Sequence, residues 1–511
     1  SAHALTPAEA LTLAAGDSEE RIATLNRLAA GGDEQGLVLI QALSNDAVKV
    51  QGDQVVLIAD DGSAIDAVTG MSTALADTVD DVMVNNRLRT AIGKALAMRD
   101  LLGSDPAAQR DAASLLRKAA FDDPGDGQLP MVDRALAGEL DDRARILLEQ
   151  ARAAMQLASD DPAQRLAAAQ ALGGMGDPAL RPLLAAQLEA ESSPAVKAAL
   201  GAALASLESR LALASGLAQA FTGISLGSIL LLAALGLAIT YGLMRVINMA
   251  HGELIMIGAY ATWLVQALFK NHLPGWFDGY LLAALPAAFV ASALVGVAME
   301  RTVIRFLYGR PLETLLATWG ISLVLMQGVR SLFGAQNVGV ENPGWMSGSV
   351  TLMGSLTLPW NRIVIIAFAA AVLLGVTLLI TKTRLGLFVR GVTQNRPIAS
   401  CMGVNTARID TYAFALGSGI AGLAGCALSQ IGNVGPDLGQ SYIVDSFMVV
   451  VLGGVGQLAG TVYAALGLGL INKFLEGWAG AVLAKIAVLV FIIVFIQKRP
   501  QGIFAFKGRE T

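Results

Sequence analysis

Ile247 to Tyr260 reads INMAHGELIMIGAY and sets an amide, an imidazole and a carboxylate (Asn248, His251 and Glu253) in an apolar run punctuated by Gly252 and Gly258. Each of the three can hydrogen-bond a small polar solute. Ionisable groups at membrane depth are costly and face a partner, water or a cargo, so the segment is a candidate solute path. The glycines let another backbone come close, or break the helix, and broken helices at mid-membrane expose groups that replace a solute's water. Leaving one polar group of a neutral solute dry and unpaired costs roughly 2–7 kcal/mol. The same trio also suits a structural role, pinning neighbouring helices by hydrogen bonds. Both readings stand at this point.

A second glycine cluster, VLGGVGQLA at Val451 to Ala459, contains Gly453 and Gly454, with Asp445 before it and Gly460 after. It holds a corresponding late position if two halves of a transporter fold face one cavity, although membrane glycines more often serve close helix packing. The basic loop from Lys382 to Arg408 contains TQNRPIASCMGVNTARI. There Pro397 can start a short helix and Gly403 can end one. Such a helix suits docking in a partner's groove, or resting on anionic headgroups. No G-x-x-x-x-G-K-S/T motif occurs, so the chain lacks a phosphate-cradling loop, and ATP-driven transport would need separate ATPase subunits. No nucleophile–base pairing points to an enzyme. With three histidines and no metal-ligand spacing, no metal site is expected. Cys401 and Cys426 imply no disulfide framework.

The elements that carry these residues divide by charge. Residues 1–210 hold 31 of the 41 acidic and 18 of the 36 basic groups, a balance of −13, and residues 211–511 stand at +8. The first part is expected as a soluble acidic domain, the second (211–511) as a membrane domain with basic rims. The start at Ser1 rather than Met leads to the expectation of a removed secretory signal. Arg165 to Leu207 repeats Ala and Leu at helical spacing, broken at Gly173-Gly174 through Asp177-Pro178 and at Ser192-Ser193-Pro194. Asp177 and Ser193 are expected to cap the helices that follow. Stacked short helices of this kind read as a HEAT-like solenoid, with an ordinary helical bundle as the plainer reading. Val48 to Val68 alternates and suggests a β-hairpin turning at Asp61-Gly62.

From Leu217 onward, apolar runs lie at 217–241, 249–269, 280–304, 314–334, 361–381, 411–431, 443–457, 459–477 and 481–497. That is about nine segments near the ~20 residues that crossing a ~30 Å core requires, the seventh short and glycine-rich. Arg245, Arg301, Arg305, Arg310, Lys382, Arg384, Arg390, Arg396, Arg408, Lys498, Arg499, Lys507 and Arg509 then fall on one side, and Lys270, Arg330, Arg362, Lys473 and Lys485 on the other. By the positive-inside rule the first domain is outside and the C-terminus inside. The expected fold is all-α: a polytopic membrane domain preceded by a mostly helical soluble one.

YGLMRVINMAHGELIMIGAY (241–260), RPLETLLATWGISLVLMQ (310–327), QNRPIASCMGVNT (394–406), VVVLGGVGQLAG (449–460) and RPQGIF (499–504) resemble, in order, the ABC importer permeases for branched-chain amino acids and amides. FGAQNVGVENPGWMSG (333–348) and the fused N-terminal domain are similar to the urea-type permease of that family. The resemblance implies a type II ABC importer-like permease in a bacterial inner membrane; with the charge asymmetry, its N-terminal domain is expected to be periplasmic and its C-terminus cytoplasmic. The partners would be a second, unlike permease subunit, two ATPases, a periplasmic substrate-binding protein and membrane lipid, with no nucleic acid. Urea would be the cargo, or alternatively a branched-chain amino acid or short amide. No cofactor is implied on this chain, ATP and Mg belonging to the ATPases. The 394–406 segment would be the coupling helix, with Gln394, Asn395, Arg396, Ser400, Met402 and Gly403 toward the ATPase. Asn248, His251 and Glu253 match the family motif on the translocation side, and Gly453 and Gly454 remain pathway candidates. Readings of another class are a passive channel or ion-coupled transporter with a sensor domain, and a membrane anchor for the exported domain.

Overall fold

The structure, a computed structural model, describes residues 5–31, 34–59, 63–75, 79–101, 103, 105–124, 129–244, 246–352, 356–499 and 502–503. The expected turn at Asp61-Gly62 lies outside them, as do Arg245, Lys507, Arg509 and Pro500, Gln501 and Phe504 of RPQGIF. The chain forms two compact units, Ser1–Ala212 and Leu213–Thr511.

The first unit opens with α1 (Pro7–Ala15), α2 (Ser18–Gly31) and α3 (Glu34–Ser44). At α1, Thr6 and Glu9 cap each other's backbone amides, which satisfies donors that a helix start leaves free. Five short antiparallel strands follow: β1 (Val48–Gln51), β2 (Gln54–Ile58), β3 (Ala64–Asp66), β4 (Ser72–Thr73) and β5 (Asp80–Asp81), in the order β4-β3-β2-β1-β5. One hairpin joins β1 to β2, pairing Gln51 with Gln54 across Gly52, whose φ is +60°. Strand β2 pairs antiparallel with β3, Ile58 opposite Ala64, on either side of the expected turn. The sheet corrects the all-α expectation: β1 to β3 lie within the alternating Val48 to Val68, but β4 and β5, of two residues each, are too short for alternation to stand out.

Then come α4 (Asn86–Leu101), α5 (Pro106–Asp122), α6 (Leu129–Leu136), α7 (Asp142–Gln156), α8 (Pro162–Gly173), α9 (Leu180–Ala190) and α10 (Pro194–Met244). Asp105, Asp141 and Asp161 cap α5, α7 and α8. Two expected caps differ. Asp177 accepts from Ala179 N at 3.0 Å, but α9 starts only at Leu180, without a side-chain cap. Before α10, Ser193 shows no side-chain cap bond; its own amide and that of Ser192 donate to Glu191 Oε1 at 2.9 and 3.0 Å. A carboxylate is the stronger acceptor, and Arg165 holds it in place at 2.8 Å. Leu116, Leu148, Leu172, Leu184 and Leu200 form the core of these helices.

In the second unit α10 is followed by α11 (His251–His272), α12 (Tyr280–Thr302), a 3-10 turn (Ile304–Leu307), α13 (Pro311–Phe333), and the hairpin of β6 (Ser349–Leu352) with β7 (Leu356–Pro359). Next are α14 (Trp360–Lys382), α15 (Arg384–Gln394), α16 (Arg396–Cys401), α17 (Thr406–Ser429), α18 (Leu438–Gly453), α19 (Leu458–Ala479) and α20 (Ala481–Lys498). Among the described residues eight helices are long and apolar enough to cross a membrane: α10 to α14, α17, α19 and α20. The seventh expected segment, 443–457, corresponds to α18. Its 16 residues span about 24 Å, short of a ~30 Å hydrocarbon core. Buried Leu235, Leu254, Ile255, Phe414, Ile420 and Val449 fill the centre of this unit. Leu316 and Val324 on α13, Leu374 on α14 and Val482 and Val490 on α20 stay exposed, as apolar faces toward lipid or another chain do.

Candidate functional site

Asn248, His251 and Glu253 are all buried, at 2%, 0% and 1% exposure, yet they do not converge. Asn248 lies in the bend before α11, where its Oδ1 accepts from Ala250 N at 3.0 Å and its Nδ2 has no partner. His251 turns toward α10, with Nε2 3.0 Å from the carbonyl of Ala233. A carbonyl only accepts, so Nε2 carries the hydrogen and the buried, unpartnered Nδ1 keeps its lone pair. Glu253 turns toward α13: its Oε1 accepts from Ser322 Oγ at 2.9 Å, and Oε2 is unpartnered. Residues two apart point to different sides of a helix, so His251 and Glu253 had to part. The cavity expected around the trio therefore becomes three separate directions.

The break lies before α11, not within it, because α11 runs unbroken through Gly252 and Gly258. Those glycines bring backbones together. A Cβ on Gly252 would sit 2.5 Å from the carbonyl oxygen of Gly439 on α18, and one on Gly258 would overlap Gly422 on α17.

Along the seam of α11 and α13, Thr318 accepts from Met249 N at 3.2 Å. Tyr260, seven residues beyond Glu253, stacks on Phe333 with ring centroids 5.0 Å apart, its buried hydroxyl unpartnered. Thr318, Ser322 and Tyr260 were missed from sequence. The seven-residue step from Glu253 to Tyr260 is two helical turns, and was the one available signal.

Gly453 and Gly454 lie apart from this seam. A Cβ on Gly453 would come 2.5 Å from the carbonyl carbon of Gly460, and Gly454 ends α18 at φ +96°. Gly439, which meets α11, is fourteen residues earlier on α18, about 21 Å along the helix.

Around α16, Asn395 caps the helix by accepting from Ile398 N at 3.1 Å, Pro397 sits in its first turn, and Gly403 follows at φ +84°. Gln394, Asn395, Ser400, Met402 and Gly403 are exposed, as is Ile398. Arg396, its side chain 40% exposed, pairs with the fully buried Asp410 of α17 and stacks 5.3 Å over the Tyr308 ring. Tyr308 Oη donates to Glu300 Oε1 at 3.1 Å. Glu300, at 0% exposure, also accepts from Arg305 Nε and Nη2 at 3.3 and 3.2 Å and from Thr411 Oγ1 at 2.8 Å. Bonds to the Glu300 carboxylate, and that charge beside it, raise the Arg305 guanidinium above its ordinary value. Burial, reinforced by the nearby Asp410 and Glu300 carboxylates, raises the Tyr308 hydroxyl.

Residues 219–497 match the family model described as branched-chain amino acid transport system / permease component. The chain is 30% identical over 297 residues to the high-affinity branched-chain amino acid transport system permease protein LivH of Escherichia coli K12, covering 56% of this chain and 94% of that protein. It is 28% identical over 291 residues to BraD of Pseudomonas aeruginosa, covering 56% and 95%. With the ribose import permease protein RbsC of Escherichia coli K12 it shares 29% identity over 209 residues, covering 38% and 61%. A comparison with solved structures found none that matches. The chain belongs to the family of branched-chain amino acid transport system permease components.

Proposed function

We propose that this chain is the membrane permease subunit of an ATP-driven importer whose cargo is a branched-chain amino acid. The observation that carries this is the family match together with Glu253, a carboxylate at 1% exposure with one oxygen unpartnered in a membrane helix. A buried carboxylate left half-satisfied is costly, and the ammonium of an amino acid complements it. The relatives named for branched-chain amino acid transport support this cargo over urea. Urea is the second reading, favoured by the 333–348 loop and the N-terminal unit, which lies outside the matched residues.

In this reading a loaded solute-binding protein docks on the outer side, where unit 1–210 resides as a helical solenoid. ATP-driven closure of two ATPases moves the 394–403 segment on the inner side. The seam of α11 and α13, completed by a second permease subunit, alternates its access. Passive flow would need no ATPase, and a mere anchor would tolerate loss of Glu253.

Labelled leucine and labelled urea uptake by the complete system, with and without ATP, tests the proposal. ATP-dependent leucine entry is the expected result. Urea entry without leucine entry overturns the cargo, and uptake independent of ATP overturns the importer.

A further inference from the structure

Four groups of opposite charge, Arg396 with Asp410 and Arg305 with Glu300, close a balanced cluster, and Tyr308 joins the pairs by stacking under Arg396 and donating to Glu300. The cluster draws on α16, α17, the end of α12 and the 3-10 turn. Both carboxylates are fully buried, while the rest of the 394–403 segment, Ala399 excepted, presents its side chains outward.

We propose that Arg396 is a positioning residue rather than a motor contact: with Asp410, Tyr308 and Glu300 it clamps the 394–403 segment to α12 and α17, so that segment and helices move as one body. The proposal rests on the reading of 394–403 as the ATPase-facing segment. Both clamped helices bear on α11. Gly422 of α17 seats against Gly258, and Ser292 Oγ of α12 donates to the carbonyl of Leu254 at 2.8 Å. A push on the outward face at Ile398 and Met402, 60% and 80% exposed, therefore reaches the helix that carries Glu253.

The test uses the complete transporter, purified through a tag on this chain and reconstituted in proteoliposomes. Removing Arg396 strands a buried carboxylate, whereas neutralising both partners does not. Arg396→Ala should cut uptake at least about tenfold while the ATPases still co-purify and hydrolyse ATP, and adding Asp410→Asn should restore most of it. Failure of Arg396→Ala to insert, with the double variant inserting and transporting, carries the same meaning. A double variant as poor as Arg396→Ala, or loss of the ATPases on Arg396→Ala alone, overturns the clamp. Met402→Asp tests the underlying reading separately, since undiminished ATPase binding and uptake would place the docking segment elsewhere. Hydrogen exchange then decides the clamp alone. Exchange across 396–403 should rise about tenfold in Arg396→Ala and fall back in the double variant; unchanged exchange rejects it.

Discussion

Ser322 Oγ donates to Glu253 Oε1 at 2.9 Å, so α13 holds the carboxylate of α11 by one oxygen and leaves the other unpartnered. Glu253→Gln keeps an acceptor for Ser322 and removes the charge. Uptake is expected to fall at least about tenfold, or 1.4 kcal/mol, with subunit assembly unchanged. Ser322→Ala should cost less, about two- to fivefold, because the carboxylate keeps its charge. Radiolabel uptake alongside co-purification separates the two, and normal uptake with Glu253→Gln would remove Glu253 from the path.

His251 is bonded to the Ala233 carbonyl at 3.0 Å, the geometry of a helix pin. His251→Ala should destabilise the membrane unit by about 1–2 kcal/mol, seen as a lower thermal midpoint in detergent. An unchanged midpoint with abolished uptake would instead make His251 a pathway residue.

Gly453→Ala places a methyl 2.5 Å from the Gly460 carbonyl carbon, whereas a Cβ on Gly467 meets nothing within 4 Å. Gly453→Ala is expected to cost about 1–3 kcal/mol through overpacking, and Gly467→Ala close to nothing. Thermal midpoints of the two variants check this. Equal midpoints would argue against backbone contact between α18 and α19.

Arg165 and the Ser192 and Ser193 amides hold the Glu191 carboxyl down to about 2 from an ordinary 4.5. A depressed folded value means stabilisation that is complete above about 4.5 and lost as pH falls toward about 2. Amide exchange in α8 and α9 of the full-length protein, corrected for its intrinsic pH dependence, should accelerate across that window. In Glu191→Gln the acceleration should be absent, and a slope that persists would assign it to other carboxylates.

Much of the fold was legible because it depends on local composition. Long apolar runs announce membrane helices whatever they pack against, and Pro397 and Gly403 bound a short helix within a few residues. Strands β4 and β5 and the pairing of Glu191 with Arg165 were not legible. Pairing β1 with β5 brings Lys49 to Asp81, and Glu191 is oriented by Arg165, 26 residues earlier.

The sequence alone determined that an amide, an imidazole and a carboxylate occupy one apolar segment, and that an exposed short helix follows Gln394, because residue type and spacing are local properties. Only the tertiary structure decided what each side chain faces. It sends His251 to Ala233, Glu253 to Ser322, Arg396 to Asp410 and Gly453 to Gly460. Hydrogen bonds and ion pairs act over a few ångströms, and which groups come that close is settled by how distant helices pack.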